Sequence, residues 1–148
     1  IKVISMNTRS THQSQAINQL LEVHKPVVLA MQETSLSTTN IQNLKKVLSY
    51  SNYDAIVGRD QGHRKGVTIA ISLDQIDSFH LILNEDRFQV LQISINSDSF
   101  YLVNCYAPPP TNHIMNNLLS SFVKPFKRGQ LTITSFWLEI SMLLIHIN

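Results

Sequence analysis

Two apolar runs in this chain stop at side chains suited to chemistry. VVLAMQET, Val27 to Thr34, ends in Gln32 and Glu33. The run reads as a strand covered on both faces. A carboxylate just beyond it stands at the strand's C-terminal edge, where open α/β sheets bind ligands. From this stretch alone, the simpler reading is that Glu33 is the first solvated residue of a loop. FYLVNCYAPPP, Phe100 to Pro110, stops at Tyr106. Consecutive prolines lack the N–H and hold a fixed φ, so they end a ladder and force a stiff, extended exit. That exit would hold the Tyr106 phenol at the same sheet edge as Glu33. A plain strand stop is the simpler reading.

The elements that must position these residues follow from periodicity. Ile1 to Met6 is a short apolar strand. Ser10 or Thr11 can cap a helix with Ile17, Leu20, Leu21 and Val23 or His24 on one face, and Pro26 ends it. After the Val27 strand, Thr38, Thr39 or Asn40 caps a second helix with Ile41, Leu44, Val47 and Leu48 inward. Tyr53 to Val57 reads as a strand, and Arg59 to Lys65 as a polar loop around Gly62. Gly66 to Leu73, His80 to Leu83, Val90 to Ile95 and Phe100 to Tyr106 are further strands. GVTIAIS and VLQISI alternate, which suggests antiparallel pairing with one covered face. The expected order is βαβαβ followed by a β-meander.

Bulk composition fits one globular domain. The chain has 148 residues, 43% hydrophobic and 15% charged. That length supports a real core, and the balance excludes disorder. A net charge of +2 is no basic stripe of the kind that marks a strong nucleic-acid binder. The single cysteine, Cys105 in YLVNCY, excludes a disulfide framework and a Cys-based zinc site, and suits a small core position. The opening IKVISMN has no basic stretch leading into an apolar one, so secretion is not expected. It begins without Met, which suggests a fragment.

IKVISMN, VVLAMQET, GVTIAIS and FYLVNCYAPPP, in that order, resemble the endonuclease/exonuclease/phosphatase superfamily. Within it they most resemble the N-terminal endonuclease domain of non-LTR (LINE-type) retrotransposon proteins. The resemblance covers roughly residues 1 to 124, the first half of such a domain. It implies an α/β two-sheet sandwich with outer helices (DNase I-like), incomplete here. It implies Mg²⁺ or Mn²⁺ as cofactor, with Glu33 as the metal's carboxylate ligand. Asn7 matches the Asn that orients the metal and phosphate end of the site. Tyr106 matches the active-site Tyr that hydrogen-bonds the scissile phosphate. Oxygen ligands suit Mg²⁺, which typically takes one or two carboxylates and keeps waters and substrate phosphate. Arg59, Arg64 and Lys65 are candidate contacts to a phosphate backbone, or simply a solvated basic loop with His63. DNA is the implied substrate, and the parent polyprotein is expected to carry a reverse transcriptase.

The sequence departs from the family in its second half. The Asp-x-Asn motif, a later acidic ligand and a C-terminal Asp-His pair are all missing. No Asp follows Asp98, and Glu139 is the only acidic side chain beyond Tyr106. Residue 6 is Met6, where relatives often have Trp. The tail from Gly129 is apolar, and its permitted codons allow Gly-Asp-Phe-Asn in a shifted frame. The expectation is therefore a half-domain over 1–128 and a frameshifted tail over 129–148. Phe136 to Ile147, twelve residues, is too short to span a membrane, which takes about 20. The tail would cover exposed half-domain surface or aggregate. The expected function is a fragment of a DNA-nicking endonuclease, inactive as it stands. The alternatives are another phosphodiesterase or phosphatase of the superfamily, and a non-catalytic remnant with weak nucleic-acid binding.

Overall fold

A computed structural model of the chain describes residues 1–9, 14–59, 66–106, 132–133 and 141–147. The first sheet holds β1 (Val3–Asn7), β2 (Val28–Gln32), β3 (Tyr53–Val57) and β4 (Val67–Ser72), in the order β1-β2-β4-β3. Strands β1 and β2 are parallel, joined through α1 (Ser14–His24), and β4 runs antiparallel to both its neighbours. The second sheet holds β5 (Ser78–Asn84), β6 (Phe88–Ile95), β7 (Asp98–Cys105), β8 (Thr132–Ile133) and β9 (Ser141–Ile147), in the order β5-β6-β7-β9-β8. Part of the apolar tail thus lies beside β7 as a strand, with Cys105 opposite Ser141.

Each strand of the first sheet divides its side chains between two cores. Leu29 and Met31 of β2 pack toward the helices with Ile17 and Leu21 of α1 and Leu44 and Leu48 of α2 (Thr38–Tyr50). The alternate residues, Val28 and Ala30, pack toward the second sheet with Ile69, Ile71, Leu91, Ile93 and Leu102. The result is an α/β two-sheet sandwich with both helices on the outside of the first sheet. Burial of both strand faces explains the unbroken apolar run of β2.

Several expectations need correction. GVTIAIS was expected to show one covered face within a meander. Instead β4 joins the first sheet between β2 and β3, and all its residues are buried. Alternation there sorts side chains between two cores, and neither face meets water. Val23 is 74% exposed and lies off the buried face of α1, which Ile17 and Leu21 define. The cap of α2 is Ser37, one residue before the expected group, and its side chain accepts from the Asn40 N–H at 3.2 Å. Thr38, Thr39 and Asn40 fall in the first helical turn. Strand β1 starts at Val3 and includes Asn7. Ser10 and Thr11 lie outside the described residues. Cys105 is buried, as its sequence context suggests. No helix among the described residues is long and apolar enough to cross a membrane.

Candidate active site

Parallel pairing of β1 with β2 sets Asn7 opposite Gln32. Just past β2 the chain turns into the left-handed region, with φ of 52° at Glu33 and 42° at Ser35. Arg9, just past β1, does the same at 47°. Side chains other than glycine enter this region at a cost, and such residues gather at functional edges. The turn has a geometric effect. Strict alternation would send Glu33 toward the helices with Met31. The left-handed residue breaks that alternation, and Glu33 Oε1 accepts a hydrogen bond from Asn7 Nδ2 at 2.9 Å. Asn7 Oδ1 accepts from the Arg9 backbone N–H at 3.0 Å. Both ends of the Asn7 amide are therefore held.

Thr8 and Gly66 fasten this edge. Thr8 is buried, and its N–H and hydroxyl both reach the Gln32 carbonyl, at 2.9 and 3.0 Å. Gly66 has φ of 95°, a value glycine reaches without the steric cost of a Cβ. Its carbonyl accepts the Thr34 N–H at 3.3 Å, which ties down the chain just after Glu33.

Tyr106 ends the second sheet at the same end of the sandwich. Its backbone N–H extends the β6–β7 ladder by bonding to the Arg87 carbonyl at 2.9 Å. The Arg87 guanidinium carbon stands 6.0 Å from the centre of the Tyr106 ring. Across the sheets, Gln32 Nε2 donates to Asn104 Oδ1 at 2.7 Å. Gln32 immediately precedes Glu33, and Asn104 lies two residues before Tyr106. Asn7 and Glu33 are thus in direct contact, and the Gln32–Asn104 bond joins the strands that lead to Glu33 and Tyr106. Arg59 follows β3 at this same end and makes an exposed ion pair with Glu85 at 3.8 Å. Arg64, Lys65, His63 and the prolines after Tyr106 lie outside the described residues. Among the described residues, no group of three His, Cys, Asp or Glu could hold a metal ion.

The sequence reading passed over Thr8, Arg87 and Asn104 and left Gln32 without a role. A signal for two of them was present. Gln32 and Asn104 are amides inside apolar runs, and a buried amide needs partners.

These two sheets and their outer helices make a DNase I-like fold. Solved structures with this fold include a truncated TDP2 from Caenorhabditis elegans, with TM-score 0.57 at 15% identity over 85% of this chain and 57% of that one. The endonuclease domain of TRAS1, a telomere-specific non-LTR retrotransposon, matches with TM-score 0.60 at 16% identity over 82% of this chain and 52% of its own. The AP endonuclease LMAP from Leishmania major matches with TM-score 0.54 at 16% identity over 83% and 45%. This chain therefore spans about half the length of the structures it resembles. No family model matches the sequence, and no curated protein matches it significantly.

Proposed function

We propose that this chain carries the N-terminal half of a Mg²⁺- or Mn²⁺-dependent DNA endonuclease of the retrotransposon type, and that it is inactive as it stands. The observation that carries this reading is the Asn7 amide holding the Glu33 carboxylate at 2.9 Å, at the end of the sandwich where the Tyr106 strand also finishes. Glu33 would hold the cation. A carboxylate offers about four lone-pair sites, so the Asn7 bond leaves it coordinating capacity. When bound, the cation supplies charge to offset that developing on the phosphoryl and leaving oxygens. Asn7 orients the carboxylate. The Tyr106 phenol donates to a non-bridging phosphate oxygen. Arg59, with Arg64 and Lys65, contacts the DNA backbone. The likeness in fold to a retrotransposon endonuclease domain supports DNA as the substrate, and a parent polyprotein with a reverse transcriptase is part of the same reading.

Inactivity follows from what the sequence lacks. With no Asp after Asp98 and only Glu139 acidic beyond Tyr106, the residues after Tyr106 supply neither the Asp-x-Asn motif nor the Asp-His pair that the family's site uses for proton transfer. The test is plasmid nicking with Mg²⁺ by the chain and by Glu33→Ala, alongside Mn²⁺ titration of both. The expected result is no nicking by either and Mn²⁺ binding that Glu33→Ala abolishes. Nicking that disappears in Glu33→Ala would overturn the inactivity and uphold the metal site. The missing carboxylates also favour a second reading, a remnant that binds nucleic acid without metal. Salt-dependent DNA binding with no Mn²⁺ binding would mark it.

A further inference from the structure

All of the first seven strands contribute to one polar layer just beneath the candidate site. Gln32 Nε2 of β2 donates to Asn104 Oδ1 of β7 at 2.7 Å and to Ser5 Oγ of β1 at 3.1 Å. Asn104 Nδ2 reaches Gln89 Oε1 of β6 at 3.4 Å and the carbonyls of Met31 and Thr68, each at 3.3 Å. Gln89 Nε2 donates to Asn84 Oδ1 of β5 and to the Ile56 carbonyl of β3, both at 3.0 Å. Asn84 Nδ2 ends the series on the Val57 carbonyl at 3.1 Å. From Gln32 to Val57 every link runs in one sense, amide N–H to the next oxygen, so the links polarise one another. Gln32, Asn104 and Gln89 are fully buried.

Cohesion between the sheets does not require such a layer. One step deeper, Ile69, Ile71, Leu91 and Leu102 hold the same two sheets by apolar packing alone. Burying amides brings a desolvation cost that apolar groups of the same shape avoid. What amides add is direction, because a hydrogen bond weakens steeply when its angle or length changes. The layer's members also stand next to the site residues in sequence. Asn7 follows Ser5 by two positions, Glu33 follows Gln32 by one, and Tyr106 follows Asn104 by two.

We infer that Gln32 and Asn104 are positioning residues for the site. Their bond across the sandwich sets where Glu33 stands relative to Tyr106, and Ser5 carries the same constraint to Asn7. The inference rests on the reading of Glu33 as a metal ligand for its consequence, while its geometric content is measurable without metal.

The test changes Gln32→Leu and Asn104→Leu together in the full chain, beside Ile93→Val in the apolar layer. Either single change would leave the other amide short of one partner in the interior, whereas the double change removes the bonded pair. The readouts are thermal melting, Mn²⁺ affinity and the NMR signal of the Asn7 side-chain amide as Glu33 is protonated with acid. The double variant is expected to fold, to lose the response of the Asn7 signal to Glu33, and to bind Mn²⁺ about tenfold more weakly or worse, as outer-shell changes do. Ile93→Val is expected to keep both properties at unmodified values. A folded double variant that keeps the Asn7 response and the Mn²⁺ affinity overturns the inference. If the double variant does not fold, Ser5→Ala replaces it, with a weakened Asn7 response expected and an unchanged one overturning. An unmodified chain that binds no Mn²⁺ sinks the metal reading alone, and the Asn7 response still decides the positioning role.

Discussion

Asn7 and Glu33 lie 26 residues apart and meet side chain to side chain at 2.9 Å. The meeting has two causes. Parallel pairing brings the ends of β1 and β2 level, and the left-handed backbone at Glu33, φ 52°, turns its carboxylate away from the helices and toward Asn7.

Asn7→Ala removes the side-chain hydrogen bond from Asn7 to the Glu33 carboxylate. A bond to a charged group contributes about 1.5–3 kcal/mol, and half-burial puts this one at the lower end. Mn²⁺ affinity is expected to fall about tenfold on that figure, with a smaller loss of stability in urea. An Mn²⁺ titration that superimposes on that of the unmodified chain would show that Asn7 does not orient the carboxylate.

Arg59→Ala separates a stabilising role from a binding one. The pair with Glu85 is exposed, with side chains 74% and 51% accessible, and such pairs contribute about 0–1 kcal/mol. Urea unfolding should therefore shift little. If Arg59 contacts a phosphate, the log–log salt dependence of DNA binding should become shallower by about one charge. An unchanged slope returns Arg59 to the solvated surface.

Ser97→Gly should stabilise the protein. Asn96 and Ser97 connect β6 to β7 as a two-residue loop between the paired residues Ile95 and Asp98, with φ of 52° and 71°. Two positive φ values define a type I′ turn, for which Asn-Gly is the preferred pair. Relief of the strained second position is worth about 1 kcal/mol. Thermal melting should rise, and a drop would mean that the serine side chain holds the turn.

Tyr53 makes stability sensitive to alkali. Its hydroxyl donates to the Pro26 carbonyl at 2.6 Å, and its ring is buried. Burial pushes the phenol above its ordinary 10.0, aided by the negative charge of Asp74 and opposed by a hydrogen bond from Ser72. A raised acid holds its proton longer in the folded state than in the unfolded one. Its contribution is whole below pH 10.0 and is lost as pH climbs from there through the raised value. Tyr53→Phe should cost about 1 kcal/mol at neutral pH and flatten that alkaline decline. An equally steep decline in the variant would assign the effect to other groups.

Much of the fold was legible along the chain. The apolar run of β2, the inward faces of both helices around Leu21, Leu44 and Leu48, and the stop at Tyr106 all follow from spacing and from proline chemistry. The assignment of β4 was not legible. GVTIAIS alternates like a strand with a wet face, and only the presence of a helical layer and a second sheet makes both faces dry. Ser37 was missed as a cap because four consecutive hydroxyl or amide residues, Ser37 to Asn40, can each serve; the backbone at Ser37, φ −70° and ψ 163°, selects it.

The site divides the same way. Local sequence sufficed to put Glu33 and Tyr106 at strand ends, because strand termination is a property of neighbouring residues. Their common edge, the turn that aims Glu33 at Asn7, and the Gln32–Asn104 bond at 2.7 Å depend on strands 72 residues apart packing face to face. Periodicity assigns a residue to a face of its own strand. Which face of which other strand it meets is decided by the packing of two sheets, where the burial of apolar area and the hydrogen bonding of each enclosed amide are satisfied together.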